Sequence, residues 1–314
     1  MKRKHILVVG SINLDLVVSV RRIPERGETV AGADFQIFFG GKGANQAVGA
    51  ARLGHPVRMI GRVGDDEFGS RLRAGLRTAA VRTASVKVTA GTSSGVALIT
   101  VDARGHNTIV VTPGANGKLT PEDLEAGVAE ISSAGIILAQ LETPLETVER
   151  LASLASRCNV PLILDPAPAR KLSRNLLRQV TWLTPNETEA SVLCGENVGR
   201  IQPSNAKRYA RQLMSKGPRN VLLKLGNHGA YIATAEGASV RIPAYKVPAV
   251  DSTAAGDALN AGFAVALMSG MDATAAARYA SSVAALSVTR LGAQPSMPTA
   301  AEVSRFLANQ ETRL

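Results

Sequence analysis

Short apolar runs rich in β-branched residues recur at positions 6–9, 57–60, 135–138, 162–165, 181–184 and 221–225. Runs of this length, bounded by polar and turn-forming residues, predict buried strands. Between them, apolar residues return at helical spacing over 44–53, 69–78, 121–131, 145–155 and 204–216. Such alternation predicts an α/β fold with a mostly parallel central sheet, helices on both faces and right-handed crossovers. Two stretches break the rhythm. Residues 16–20 and 29–39 predict strands with no helix between them, and 96–102 with 107–112 predict a hairpin around Ala103-Arg104-Gly105-His106. Helix-free strands inside such a chain predict a small separate sheet, drawn from about 15–39 and 96–112 and inserted in a single domain spanning 1–314.

Composition narrows this picture. The 314 residues are 45% hydrophobic but only 4% aromatic, so aliphatic side chains and alanine must fill the core. Net charge is +11, yet the lysines and arginines are scattered and no aromatics interleave with them, which argues against a nucleic-acid surface. Met1-Lys2-Arg3-Lys4-His5 followed by an apolar run imitates a signal peptide, but Asn13 and Asp15 cut that run short. No stretch is long enough to span a membrane, so a cytoplasmic location is expected. Cys158 and Cys194 make no disulfide framework and are expected as buried thiols. The four histidines are dispersed, and none has zinc-site spacing.

The most informative stretch is Asp251-Ser252-Thr253-Ala254-Ala255-Gly256-Asp257. Downstream, Ala258, Leu259, Gly262, Phe263, Ala266 and Leu267 recur at helical spacing, and Gly270 ends the run. The backbone N–H groups of Ala254, Ala255 and Gly256 therefore stand at a helix start, where unpaired donors and the helix dipole attract an anion. Asp257 beside that anion hole is suited to act as general base for a hydroxyl attacking a phosphate. A first-turn helix acid has the same pattern.

A second segment, Gly40-Gly41-Lys42-Gly43-Ala44-Asn45-Gln46-Ala47, opens another helix. Its glycines allow tight turns and close ligand approach. Lys42 and Asn45 add a cation and a two-way hydrogen-bonding amide, which suits a polyol. The spacing fits neither a P-loop nor the dinucleotide fingerprint.

Together these segments resemble the two signatures of the ribokinase-like (PfkB-type) carbohydrate kinases. Further matches occur in the family's order: Gly10-Ser11-Ile12-Asn13-Leu14-Asp15, Gly27-Glu28-Thr29-Val30, Gly64-Asp65-Asp66, Asp165-Pro166-Ala167-Pro168-Ala169-Arg170, Thr184-Pro185-Asn186-Glu187-Thr188-Glu189 and the segment 288–296. The resemblance implies a ribokinase-like α/β fold whose small β-sheet is a lid over a sugar site and also serves a homodimer. It implies transfer of the γ-phosphoryl group of ATP to the 5-hydroxyl of D-ribose, giving D-ribose 5-phosphate and ADP. Deoxyribose, a ketohexose or a nucleoside stays open as substrate of the same chemistry. A sugar-binding sensor without activity is the rival of a different class.

The resemblance also distributes roles. Asn13, Asp15, Gly41, Lys42, Asn45, Glu142 and Asp257 match its sugar-contacting positions. Asn186, Lys224, Gly226, Gly229 and Gly256 match its ATP-contacting positions, with 277–285 against the adenine. Asn186 and Glu189 match a pair that arranges Mg²⁺ through water, and the same Asn-x-x-Glu spacing also reads as a helix capping box. Asp251, Thr253, Ser287, Arg290, Gly292 and Ser296 match positions around an activating K⁺. Ser252 departs from the family's more usual threonine but keeps a hydroxyl.

Overall fold

The protein is described here by a computed structural model covering residues 4–199 and 201–311. Its strands are β1 (Ile6–Val9), β2 (Asn13–Val20), β3 (Gly32–Gly40), β4 (Val57–Gly64), β5 (Val81–Thr89), β6 (Gly95–Val101), β7 (Asn107–Thr112), β8 (Ile136–Ala139), β9 (Leu162–Leu164), β10 (Trp182–Leu183), β11 (Asn220–Lys224), β12 (Ala230–Ala233) and β13 (Ser239–Ile242). Nine form one sheet in the order β13-β12-β11-β10-β9-β8-β1-β4-β5. Every pairing from β11 to β5 is parallel, and β12 alone is reversed, running antiparallel to both β11 and β13.

The continuous apolar runs are explained by burial on both faces. Alternate residues of β1 enter different cores. Ile6 and Val8 pack with Val48, Phe263 and Val283, whereas Leu7 and Val9 pack with Leu151, Leu176 and Tyr209. Helices Lys42–Arg52, Ala255–Met268 and Ala273–Ser287 supply the first core; Leu145–Arg157 and Ala206–Met214 supply the second. Burying side chains of this size is worth ~1.5–3 kcal/mol each, which fixes the strand register.

The chain fills the sheet outward from β1 in two directions, first to β4 and β5, then to β8 through β11. Strand order therefore reverses between β1 and β8. The crevice beyond the carboxyl ends at such a reversal is where open α/β sheets bind ligands.

The helix-free strands form the expected second sheet, ordered β3-β2-β6-β7. β2 pairs antiparallel with β3 and parallel with β6, and β6 pairs antiparallel with β7. The predicted hairpin turn is held by Asp102, whose carboxylate accepts from the backbone N–H groups of Arg104 and His106 at 2.8 and 2.9 Å.

Some details differ from the sequence reading. The helix expected over 121–131 is two, Pro121–Ala126 and Val128–Ser133, because the backbone turns at Gly127 where a side chain would strike Ile60. β5, β12 and β13 are additional strands. Cys158 and Cys194 are free thiols, half-buried rather than fully buried. No helix among the described residues is long and apolar enough to cross a membrane.

Candidate active site

The helix Ala255–Met268 begins at Ala254, which has φ 59°. A left-handed alanine is uncommon and costs about 1 kcal/mol, so the turn into this helix is sharper than sequence alone demands. The three donors expected here are not equivalent. The Ala255 N–H donates to the Ser252 carbonyl at 3.2 Å, while Gly256 and Asp257 occupy first-turn positions that lack intrahelical acceptors. The Lys224 ammonium lies 3.4 Å from the point a β-carbon on Gly256 would occupy, so a cation joins the amides at this helix start.

Asp257 is 4% exposed. Its Oδ2 accepts from Asn45 Nδ2 at 3.0 Å, and its Oδ1 accepts from Gln46 Nε2 at 3.0 Å. Burial pushes the carboxyl up to about 6; Lys42 and the two amides oppose that rise, and nearby Asp165 adds to it. Such a group is ionised near neutrality but within reach of a proton, as a general base must be. The Asn45 Oδ1 is buried without a hydrogen-bond partner, leaving an acceptor for a ligand hydroxyl.

Behind Asp257 lies a buried polar network of which the sequence reading assigned only Lys224 to the site, leaving out Gln46, Gln140, Asp165 and Asn260. Asp165 accepts from Lys224 Nζ at 2.8 Å, Asn260 Nδ2 at 2.8 Å and Gln46 Nε2 at 3.2 Å. Gln140 Nε2 donates to Gln46 Oε1 at 2.7 Å. Burial alone would lower the Lys224 pKa, but Asp165 and Glu189 hold it above the ordinary lysine value. Gln140, Asp165 and Lys224 share one legible signal: each is a polar residue ending or following a buried apolar strand.

The glycine-rich segment turns β3 back against the β1–β2 connection. Gly41 has φ 85°, and a β-carbon there would fall 2.7 Å from the Asn13 nitrogen. Ser11 donates to Glu142 Oε2 at 2.5 Å, and the Lys42 N–H donates to the same oxygen at 3.1 Å. Asn13 Oδ1 accepts from Asn116 Nδ2 at 2.6 Å, another partner the sequence did not single out. Asp15 stands on β2 beside Gly40, where any β-carbon would overlap its carboxylate. Burial, reinforced by Glu142 and Asp257, pushes Asp15 up to about 7 despite Lys42. Burial opposes the charge on Lys42, yet Asp257, Asp165, Glu142 and Glu189 keep its pKa above normal. The expected sugar-side residues thus share one electrostatic neighbourhood around Lys42 and Asp257.

On the other side of the helix start is a cavity of about 600 Å³ lined by Gly226, Gly229, Tyr245, Val247, Ala255 and Leu259 among others. Ser281, Ala284 and Ala285 contribute from the segment expected near adenine, whereas Ala277 and Ala280 are packed in the core. The Ser281 hydroxyl is buried without a partner. Asn186 and Glu189 form the anticipated capping box: the Asn186 backbone N–H and Nδ2 donate to Glu189 at 2.7 and 2.9 Å, and the Glu189 N–H donates back at 2.8 Å. Burial raises the Glu189 pKa, while Lys224 opposes.

Asp251 ties two loops together, accepting from the N–H groups of Thr253 at 2.8 Å and Gly292 at 2.9 Å. The Val250 and Asp251 N–H groups both donate to the Val288 carbonyl. Ser287 and Ser296 hydroxyls donate to the carbonyls of Ala284 and Ala293, each at 2.8 Å. The Arg290 guanidinium donates to Glu302 at 2.5 Å and is thereby occupied.

Comparison with known proteins agrees with this fold. Residues 3–300 match the profile of the pfkB family carbohydrate kinases. This chain belongs to that family. It is 42% identical over 305 residues to the ribokinase of Bacillus subtilis (strain 168), covering 97% of this chain and 100% of that one. It is 37% identical over 307 residues to the deoxyribokinase of Salmonella typhi, covering 98% and 99%. A solved structure of Arabidopsis thaliana ribokinase complexed with ribose and ATP superposes with a TM-score of 0.89 at 31% identity, covering 97% of this chain and 98% of that one. Membership of the pfkB carbohydrate kinase family therefore extends over nearly the whole chain.

Proposed function

We propose that the protein is an ATP-dependent kinase that phosphorylates the 5-hydroxyl of D-ribose. The observation that carries this reading is the buried Asp257 at a helix start, between the polar cluster around Lys42 and the cavity along Gly226–Gly229. Asn13, Asp15, Gly41, Lys42, Asn45 and Glu142 bind the sugar. Asn186, Lys224, Gly226, Gly229 and Gly256 bind ATP. The sugar hydroxyl gives its proton to Asp257 as its oxygen bonds to the γ-phosphorus, and the bond from that phosphorus to ADP breaks. The helix-start N–H groups and Lys224 stabilise the charge spreading over the phosphoryl oxygens.

Two ions accompany this reading. Glu189 has both oxygens on Asn186 and faces Lys224 at 3.9 Å, so Asn186 and Glu189 suit Mg²⁺ held through water rather than by direct ligation. Mg²⁺ supplies charge neutralisation on the phosphates when bound. The K⁺ positions would be the Asp251 carboxylate and main-chain carbonyls of Thr253, Ser287, Arg290, Gly292 and Ser296, and Asp251 already bridges two of these loops through Thr253 and Gly292. Arg290, held by Glu302, brings no competing cation, so the set suits K⁺. K⁺ held there would stiffen the loop leading into the anion hole.

The whole chain acts as one unit, with the small sheet as its lid. Asp15 on β2 ties that lid to the sugar, and closure keeps water from competing for the phosphoryl group. Ile37, Leu98 and Val110 lie in one cross-strand row of the lid with Leu16. They are 39%, 52% and 62% exposed, and a second copy of the chain covers them. Leu98→Lys is expected to convert a dimer to a monomer in light scattering; a monomeric parent protein contradicts the assembly.

A coupled ADP-release assay across ribose, deoxyribose, fructose and adenosine, with and without K⁺, tests the function. Ribose is expected to give the highest kcat/KM, and K⁺ to raise it. Asp257 and Asp15 both act as anions and both have raised pKa values, so kcat/KM is expected to fall as pH drops from about 7 through about 6. A clear preference for deoxyribose, fructose or adenosine contradicts the substrate. Indifference between Na⁺ and K⁺ contradicts the cation site alone.

A further inference from the structure

Gln46 is wholly buried yet makes three hydrogen bonds with the functional network. Its one Nε2 group donates to Asp257 Oδ1 at 3.0 Å and to Asp165 Oδ2 at 3.2 Å. Its Oε1 accepts from Gln140 Nε2 at 2.7 Å. The carboxylates remove the ambiguity of an amide: ionised, they only accept, so the NH2 group must face them and Oε1 is left to accept from Gln140. An apolar residue of the same shape would fill this space equally well, so packing alone does not call for an amide with both protons committed. Asp165 in turn holds Lys224 beside Gly256.

We propose that Gln46 is a positioning residue that links the catalytic base to the Asp165–Lys224 pair, fixing Asp257 for proton transfer while Gln140 fixes Gln46. The inference rests on the reading of Asp257 as the base. Two carboxylates this close repel one another, and a shared NH2 group is the device that lets both stay charged. Asp257 also faces Lys42 from the helix Lys42–Arg52 and Asp15 from β2; Lys224, Glu189 and Glu142 lie farther around the same cluster. Among these side chains, Gln46 is the one bonded to both Asp257 and Asp165. Its bond to Asp257 favours the ionised carboxylate, offsetting part of the rise caused by burial.

Gln46→Met keeps the length and volume but removes the donors and the acceptor. The protein with ¹³C-carboxyl-labelled aspartate, titrated by NMR with the Asp257 signal identified from its loss in Asp257→Asn, reads the effect directly. The Asp257 midpoint is expected to rise by about one pH unit, as loss of a hydrogen bond to a charged group implies. The acid limb of kcat/KM is expected to move up with it, and kcat to fall about tenfold while sugar Kd stays within about threefold. If Gln46→Met does not fold, Gln140→Leu, which unclamps the amide, is expected to move the midpoint in the same direction by less. A folded variant with an unmoved midpoint overturns the proposal, even if its turnover falls, because a purely structural role lowers activity without retuning the base. The titration requires no turnover, so a parent protein that phosphorylates no sugar contradicts the proposed function separately.

Discussion

Asp257→Asn lowers kcat by ~10²–10⁴-fold and leaves sugar Kd nearly unchanged, the span expected when a general base is lost. The amide has the size of the carboxyl, so the surrounding helix need not move. Two donors, Asn45 Nδ2 and Gln46 Nε2, now point at this side chain. An amide satisfies one with its oxygen and would oppose the other with its NH2. Asn45 resolves the conflict by turning its own amide, so that its unpartnered Oδ1 accepts from the new NH2 and its Nδ2 instead donates to the ligand hydroxyl, which can accept as well as donate. The fold is therefore kept, and removal of a buried carboxylate near Asp165 relieves repulsion. Calorimetry of sugar binding beside steady-state kinetics separates the two effects. Turnover within about fivefold of the parent protein would refute the assigned base.

Lys224→Met is expected to damage both stability and turnover. Lys224 pairs with Asp165 in the interior, and its loss leaves Asp165 with only the amide donors of Gln46 and Asn260. Breaking one side of a buried pair costs ~3–5 kcal/mol, because the remaining charge stays buried without its counter-ion. The loss is read as a lowered urea midpoint. Turnover falls by about 10²–10³-fold as well, the scale for removing one donor to a developing oxyanion. Lys224→Met combined with Asp165→Asn separates the roles. Removing both charges restores part of the stability, since Asp165 is no longer an unpaired ion, although Glu189 still lacks Lys224. It does not restore turnover, since the cation beside Gly256 is still missing. Recovery of activity along with stability would assign Lys224 a structural role only.

The main sheet was legible because its strands are buried on both sides, so 6–9, 162–165 and 221–225 read as apolar runs, broken only by Asp165 and Lys224, close to β1, β9 and β11. β5 escaped notice for the opposite reason. It is the edge strand, and Arg82, Ala84 and Lys87 face solvent between buried Val81, Thr83 and Val86. β12 and β13 are four residues each, too short for a periodic signal. Asp257, Asn186 and Glu189 were legible because their neighbours in sequence set their local geometry: a small-residue helix start and a capping-box spacing. Gln46 stood inside a recognised motif, yet its function lay elsewhere. Its partners Gln140, Asp165 and Asp257 are 94 to 211 positions away, and only the sheet brings them together. The unequal state of the three expected amide donors was also invisible, since the Ala255 to Ser252 bond follows from the left-handed turn at Ala254.

The central claim is the transfer of a phosphoryl group from ATP to a primary sugar alcohol under Asp257. The most direct test is ³¹P NMR of the protein with ATP, Mg²⁺, K⁺ and ribose. The account predicts that the γ-phosphate signal gives way to a phosphomonoester split by the two C5 protons of the sugar, with ADP accumulating in equal amount. Conversion of ATP to ADP and free orthophosphate, with no ester signal, would contradict it.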